Sequence, residues 1–218
     1  MSTRIVMLAV AAIALPVFAA AGPLSGVVRT TTRSGVVPAT AIVYAEPLDA
    51  AVPRRGANAS LVQKNKIFQP RILGVPVGST VSFPNNDPLF HNVFSRSAPQ
   101  PFDLGLYRSG ETRTRTFTAP GTYRVFCNIH PHMTALVVVA PTPHVTTVGA
   151  DGRYVLDLPP GRYRVTALSE RAGPISVEAT STVGASSAPE LVLDESTWTA
   201  VQHKNKFGQD YPLAAYKQ

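Results

Sequence analysis

The chain has one cysteine, Cys127, in 218 residues, so no intramolecular disulfide can staple it. Methionine is nearly as scarce, at positions 1, 7 and 133. Helical periodicity is almost missing: 20 prolines and 15 glycines break the chain into short runs, and apolar residues recur with period two. The apolar stretch Ile5–Leu15 is short for a bilayer span and is followed directly by Pro16. With five histidines, the chain is also poorly supplied for a multinuclear metal cluster.

What is present at the N-terminus reads as an export signal. Arg4 gives the positive start, Ile5–Leu15 the apolar core, and Ala19-Ala20-Ala21 a small-residue cleavage site. Cleavage after Ala21 makes Gly22 the first mature residue; cleavage after Ala19 is the alternative. No cysteine lies near that site, which excludes a lipid anchor there. The expectation is a periplasmic, soluble protein with no integral membrane segment after residues 1–21 are removed. In an oxidising compartment an unpaired cysteine is reactive, paired between chains, or protected by a metal. The plain alternative is a buried structural cysteine. Once Met1 and Met7 leave with the signal, Met133 is the only methionine, and it closes the run Cys127-Asn128-Ile129-His130-Pro131-His132-Met133. The net charge is +7, one unit of it from Arg4. Export argues against nucleic acid as its partner, and most of the charge is assigned to a solvated surface.

Ile42-Val43-Tyr44, Thr80–Phe83, Tyr123–Phe126 and Ala135–Val139 read as strands, and the fold class is all-β. Pro120-Gly121 and Pro160-Gly161 each precede a tyrosine-containing strand. Asp151-Gly152 is a hairpin signal. The segment Gly149–Leu156, followed by Leu158–Val165, resembles the carboxypeptidase regulatory-like, or transthyretin-like, β-sandwich. In that family the first strand pair, here Gly26–Val28 and Ala39–Tyr44, stands a short loop away. Residues 53–141 intervene here, which implies an insertion at a tolerant surface loop. The expected division is 1–21 signal peptide, 22–52 and 142–196 as the two parts of a transthyretin-like sandwich, 53–141 as the inserted domain, and 197–218 as an irregular C-terminal extension. The alternative places residues 24–50 on the inserted domain's own sheet. Val62–Lys66 and Val201–Lys206 echo each other, which we treat as coincidence. The 145–193 unit offers no cysteine and no recognisable pair of carboxylates, so no chemistry is assigned to it.

A thiolate, an imidazole and a thioether at Cys-x-x-His-x-x-Met spacing form a ligand set for copper. A blue-copper centre adds a second imidazole, and His91, after a turn-rich connection from Phe83, is the candidate. The pattern His91-Asn92 followed by Cys127-x-x-His130-x-x-Met133 resembles the cupredoxin family over roughly residues 60–140. Its short ligand loop is most similar to those of amicyanin and the methylamine-utilisation-type proteins. Val75–Phe83 and Phe117–Tyr123 match the family's strands. The resemblance implies a Greek-key β-sandwich holding one type 1 copper ion. His91, Cys127 and His130 would be equatorial ligands and Met133 axial, with the Asn92 N–H donating to the Cys127 sulfur. His132 is the alternative to His130; His144 and His203 read as surface or packing residues.

The function expected is a one-electron carrier with a redox protein as partner. His130 would be the exchange edge, and Ile129 and Pro131 part of an apolar rim. Arg113 and Arg115 alternate along one strand and share a face. Copper delivery without electron transfer is the competing reading, disfavoured by the single mature methionine. A copper enzyme is disfavoured by the histidine count, and no catalytic residue is assigned. An adhesion or scaffold module leaves the Cys127–Met133 spacing unexplained.

Overall fold

The computed structural model describes residues 22–51, 54–200 and 203–212. The expected signal peptide lies outside these residues. The chain begins with β1 (Gly22–Thr32), β2 (Gly35–Pro38) and β3 (Ala41–Pro47). It then forms β4 (Asn58–Ser60), β5 (Val62–Lys64), β6 (Ile67–Gln69), β7 (Ile72–Pro76), β8 (Thr80–Pro84) and β9 (His91–Ser95). The same stretch continues through β10 (Phe102–Tyr107), β11 (Thr112–Thr116), β12 (Gly121–Phe126) and β13 (Thr134–Ala140). The last strands are β14 (Val145–Thr147), β15 (Arg153–Leu158), β16 (Gly161–Ser169), β17 (Ile175–Ser181), β18 (Ser186–Ser187) and β19 (Leu191–Asp194). No helix occurs among the described residues.

Strands β4–β13 build one sandwich. A sheet in the order β10-β9-β12-β13-β7 faces the smaller sheet β11-β8-β4, and β5 and β6 form a separate hairpin. Strands β1–β3 pair instead with strands after residue 141. β1 runs antiparallel to β15 and parallel to β18 and β19, while β3 lies between β14 and β16. The Asp151-Gly152 turn is a corner and not a hairpin: β14 belongs to one sheet and β15 to the other. The Pro160-Gly161 turn likewise carries the chain from the β15 sheet into the β16 sheet.

Both sandwiches use one device at equivalent corners. In Ala119-Pro120-Gly121-Thr122-Tyr123 the Tyr123 hydroxyl donates to the Ala119 carbonyl at 3.0 Å. In Pro159-Pro160-Gly161-Arg162-Tyr163 the Tyr163 hydroxyl donates to the Pro159 carbonyl at 2.9 Å. The proline sets the turn, and the buried tyrosine ring then bonds back to hold it, as in a tyrosine corner.

Strand β13 explains how the two sandwiches join. Its run Ala135–Ala140 is apolar on both faces, and all of it is buried. Ala135, Val137 and Val139 enter the core shared with Phe83, Tyr123 and Cys127. Leu136 and Val138 face outward onto Ile42, Ile72 and Leu168, a small third core between the sandwiches. Gly74 on β7 permits this approach, since a Cβ there would sit 2.7 Å from the Ile42 Cγ2. At the rim, Arg71 makes a bidentate bond to Glu170 at 2.6 and 2.9 Å, and Arg124 donates to the Glu170 carbonyl.

Candidate metal centre

Two strand ends and one loop meet at one end of the β4–β13 sandwich. His91 opens β9, Cys127 follows β12, and the 127–133 loop returns the chain into β13. Two backbone bonds close that loop: Cys127 N–H donates to the Met133 carbonyl at 3.1 Å and Met133 N–H to the His130 carbonyl at 3.0 Å. Seven residues thus carry three donor side chains with little freedom left to them.

The structure brings His91, Cys127 and His130 together. Their ligating atoms form a triangle: His91 Nδ1 to His130 Nδ1 at 3.1 Å, Cys127 Sγ to His130 Nδ1 at 3.7 Å, and Cys127 Sγ to His91 Nδ1 at 3.8 Å. Edges of this size suit two nitrogens and a sulfur spread around one centre at about 2.0–2.3 Å. His91 and Cys127 are fully buried, and His130 is 8% exposed. Met133 is fully buried in the same core as Cys127. His132, between two of these residues, is exposed and outside the donor cluster. His144 packs edge-on against Tyr163. The donor set is soft and buried, which fits copper.

Asp87 was not anticipated from the sequence. Its carboxylate lies 2.7 Å from His91 Nε2 and accepts the backbone N–H groups of Asn65 (2.5 Å) and Lys66 (2.8 Å). Burial alone would raise the Asp87 carboxyl. The bonds from the Lys66 amide, His91 and the Asn65 amide outweigh it and hold the group below the usual range. An ionised acceptor at Nε2 requires the proton on that nitrogen, which leaves the Nδ1 lone pair aimed into the triangle. The sequence signal available was the position of Asp87 four residues before His91 in a turn-rich segment.

Burial pushes the Cys127 thiol up, opposed by backbone N–H groups of Asn92, Ile129 and His130 aimed at the sulfur. The Asn92 bond matches the expectation drawn from the family resemblance; the other two come from the loop itself. Asn92 is held in turn by Asp103, whose Oδ1 accepts the Asn92 side-chain N–H at 2.7 Å and the Gly105 N–H at 2.9 Å. Gly105, at φ 75°, forms the bulge that shifts the β9–β10 register and turns Asp103 toward Asn92. His130 is held below the usual imidazole range by burial first, then by His91 and Lys66.

One expectation about the surroundings needs correction. Pro131 is buried and so cannot form an open rim, because His203 covers it: His203 Nε2 lies 2.6 Å from the Pro131 carbonyl. Arg113 and Arg115 share a face as expected, and each lies over an aromatic ring, Tyr107 and Phe102 respectively, at 5.8 and 5.6 Å.

A β-sandwich with a buried two-histidine, one-cysteine cluster at one end is the architecture of a small copper protein. Residues 58–140 match the model of the copper binding proteins, plastocyanin/azurin family. The chain is 36% identical over 105 residues to amicyanin-alpha of Methylorubrum extorquens, covering 46% of this chain and 87% of that one. It is 31% identical over 141 residues to the chloroplastic plastocyanin of Hordeum vulgare, covering 55% of this chain and 88% of the relative. Among solved structures, a purple cupredoxin from Nitrosopumilus maritimus aligns over 38% of this chain and 99% of its own, at 28% identity and a TM-score of 0.36. The chain belongs to the plastocyanin/azurin family of copper binding proteins.

Proposed function

We propose that this protein is an exported one-electron carrier in which His91, Cys127 and His130, with Met133 beside them, would hold a type 1 copper ion. The observation that carries the reading is the donor triangle, assembled and buried, with edges of 3.1–3.8 Å. Copper bound there would exchange a single electron between its two oxidation states. The chain's own part is to hold the donors still: Asp87 fixes the His91 ring, the two loop bonds fix Cys127 and Met133, and three amides face the sulfur. A site that changes little between oxidation states moves electrons quickly.

His130 is the exchange edge in this reading. Leu89, Phe90 and Ile129, at 41%, 55% and 38% exposure, flank the ligands and form the apolar rim for a redox protein partner. A small apolar contact suits a partner that must leave soon after electron transfer. Residues 53–141 are proposed as the copper domain, inserted between parts 22–52 and 142–196 of a transthyretin-like sandwich; the pairing of β1 with β15 and β3 with β16 supports this division. Residues 1–21 are proposed as the export signal to the periplasm, and no helix among the described residues is long and apolar enough to cross a membrane.

Copper delivery is the competing function, and the burial and bracing of the donors argue against it. Voltammetry of the copper-loaded chain, paired with a chelator challenge, separates the two. The carrier reading predicts a reversible one-electron wave and slow loss of copper. Rapid surrender of copper to the chelator with sluggish electron exchange would assign the protein to delivery.

A further inference from the structure

The segment after β19 has no role in the copper domain as the family match bounds it, since that match ends at residue 140. It nevertheless lies against the ligand loop. Tyr211, 6% exposed, donates its hydroxyl to the Cys127 carbonyl at 2.8 Å. Lys206 N–H donates to the Asn128 side-chain oxygen at 2.9 Å, and His203 Nε2 meets the Pro131 carbonyl at 2.6 Å. The His203 ring stacks on Phe126 at 4.1 Å and meets Tyr211 edge-on at 5.2 Å. The Lys206 ammonium pairs at 2.7 Å with Asp103, the residue that holds Asn92 beside the Cys127 sulfur.

Together these contacts add to the loop's own hydrogen bonding. The carbonyls of His130 and Met133 are bonded within the loop, whereas those of Cys127 and Pro131 are bonded from the tail. The tail is itself shaped for this task. The Asn205 side-chain oxygen accepts the N–H groups of Phe207 and Gln209, and Asn205 N–H donates to the Gln209 carbonyl. A turn held this way loses little entropy on docking. Its other end is fastened to the second sandwich: Arg33 donates to the carbonyls of Ser196 and Trp198, and Arg171 lies 4.4 Å over the Trp198 ring.

We infer that the C-terminal segment is a strap through which the second sandwich positions the copper ligand loop, with Tyr211 and His203 as its positioning residues. The inference rests on the ligand assignment proposed above. The strap grips the loop conformation that also gathers the donors, so strap docking and copper binding favour one another. Neither residue touches the metal; both act through the Cys127 and Pro131 carbonyls.

The test compares the full chain with Tyr211→Phe and His203→Ala. In the metal-free protein, amide exchange at Ile129, His130, His132 and Met133 should quicken in both variants; unchanged exchange overturns the strap. In the copper-loaded protein, loss of copper to a chelator should accelerate by up to about five-fold for Tyr211→Phe, the effect of one neutral hydrogen bond. The reduction potential and the copper hyperfine splitting should move with it, which a purely structural tail would not cause. Identical copper loss, potential and hyperfine splitting also overturn it. Tyr211→Phe keeps its ring, so it carries the test if His203→Ala fails to fold. A parent chain that takes up no type 1 copper would sink the ligand assignment, and metal-free amide exchange alone would then decide the strap.

Discussion

At the scale of the residue, Asp87 shows how a side chain that is no ligand can govern one. Its bond to Nε2 fixes the His91 tautomer and makes Nδ1 a better donor. Asp87→Asn is therefore expected to weaken copper binding about 10–100-fold in a competition titration. A second residue carries a cost unrelated to metal. The Tyr154 hydroxyl is buried without a partner among the described residues, and its pKa is pushed up to about 12 by burial. Tyr154→Phe removes that unsatisfied group and should raise stability by about 1 kcal/mol in a urea titration; a clear loss would show that the hydroxyl is bonded. The Cys-x-x-His-x-x-Met spacing was legible because chemistry restricts which side chains can sit so close together. Asp87 was not, since a carboxylate in a turn-rich stretch is commonplace, and only the fold turns it onto His91.

At the scale of the element, the β5–β6 hairpin is more than a connection. Asn65 and Lys66 both stand at φ 56°, the left-handed pair that a two-residue hairpin turn demands. The same geometry points both amides at Asp87. Lysine pays for that φ where glycine does not, so Lys66→Gly should stabilise the protein by about 0.5–1 kcal/mol by thermal unfolding. No gain would mean that the turn relaxes elsewhere. Strands with period-two alternation, such as Tyr123–Phe126, were plain in the sequence because one face meets water. The Asp151-Gly152 signal gave the turn but not the destination of the chain, because turn residues set local φ and not which sheet the next strand joins. The Val62–Lys66 echo is no repeat in structure: the first copy is a hairpin bearing on Asp87, and the described part of the second, 203–206, is tail.

At the scale of the whole molecule, the third core makes the two sandwiches one unit. Burying Ile42, Ile72, Leu136, Val138 and Leu168 contributes about 1.5–3 kcal/mol each as an upper estimate, more than the Arg71–Glu170 ion pair at the rim supplies. Gly74→Val would drive side-chain atoms into Ile42 and Val145 and should cost about 1–3 kcal/mol in thermal unfolding. An unchanged midpoint would show that the sandwiches part easily. This contact was hidden in the sequence, where the apolar run 135–140 reads as a buried strand without saying that its two faces enter different cores. The tail was hidden for a similar reason, since His203 and Tyr211 follow no period and gain meaning only beside Cys127 and Pro131. All of these contacts converge on one claim, that a buried thiolate and two imidazoles hold a type 1 copper ion. The most direct measurement is the visible and EPR spectrum of residues 22–218 after addition of Cu(II), alongside Cys127→Ala. An intense blue band with narrow copper hyperfine splitting, absent from Cys127→Ala, is the predicted result. A colourless protein, ordinary tetragonal copper, or colour that survives the loss of Cys127 would contradict it.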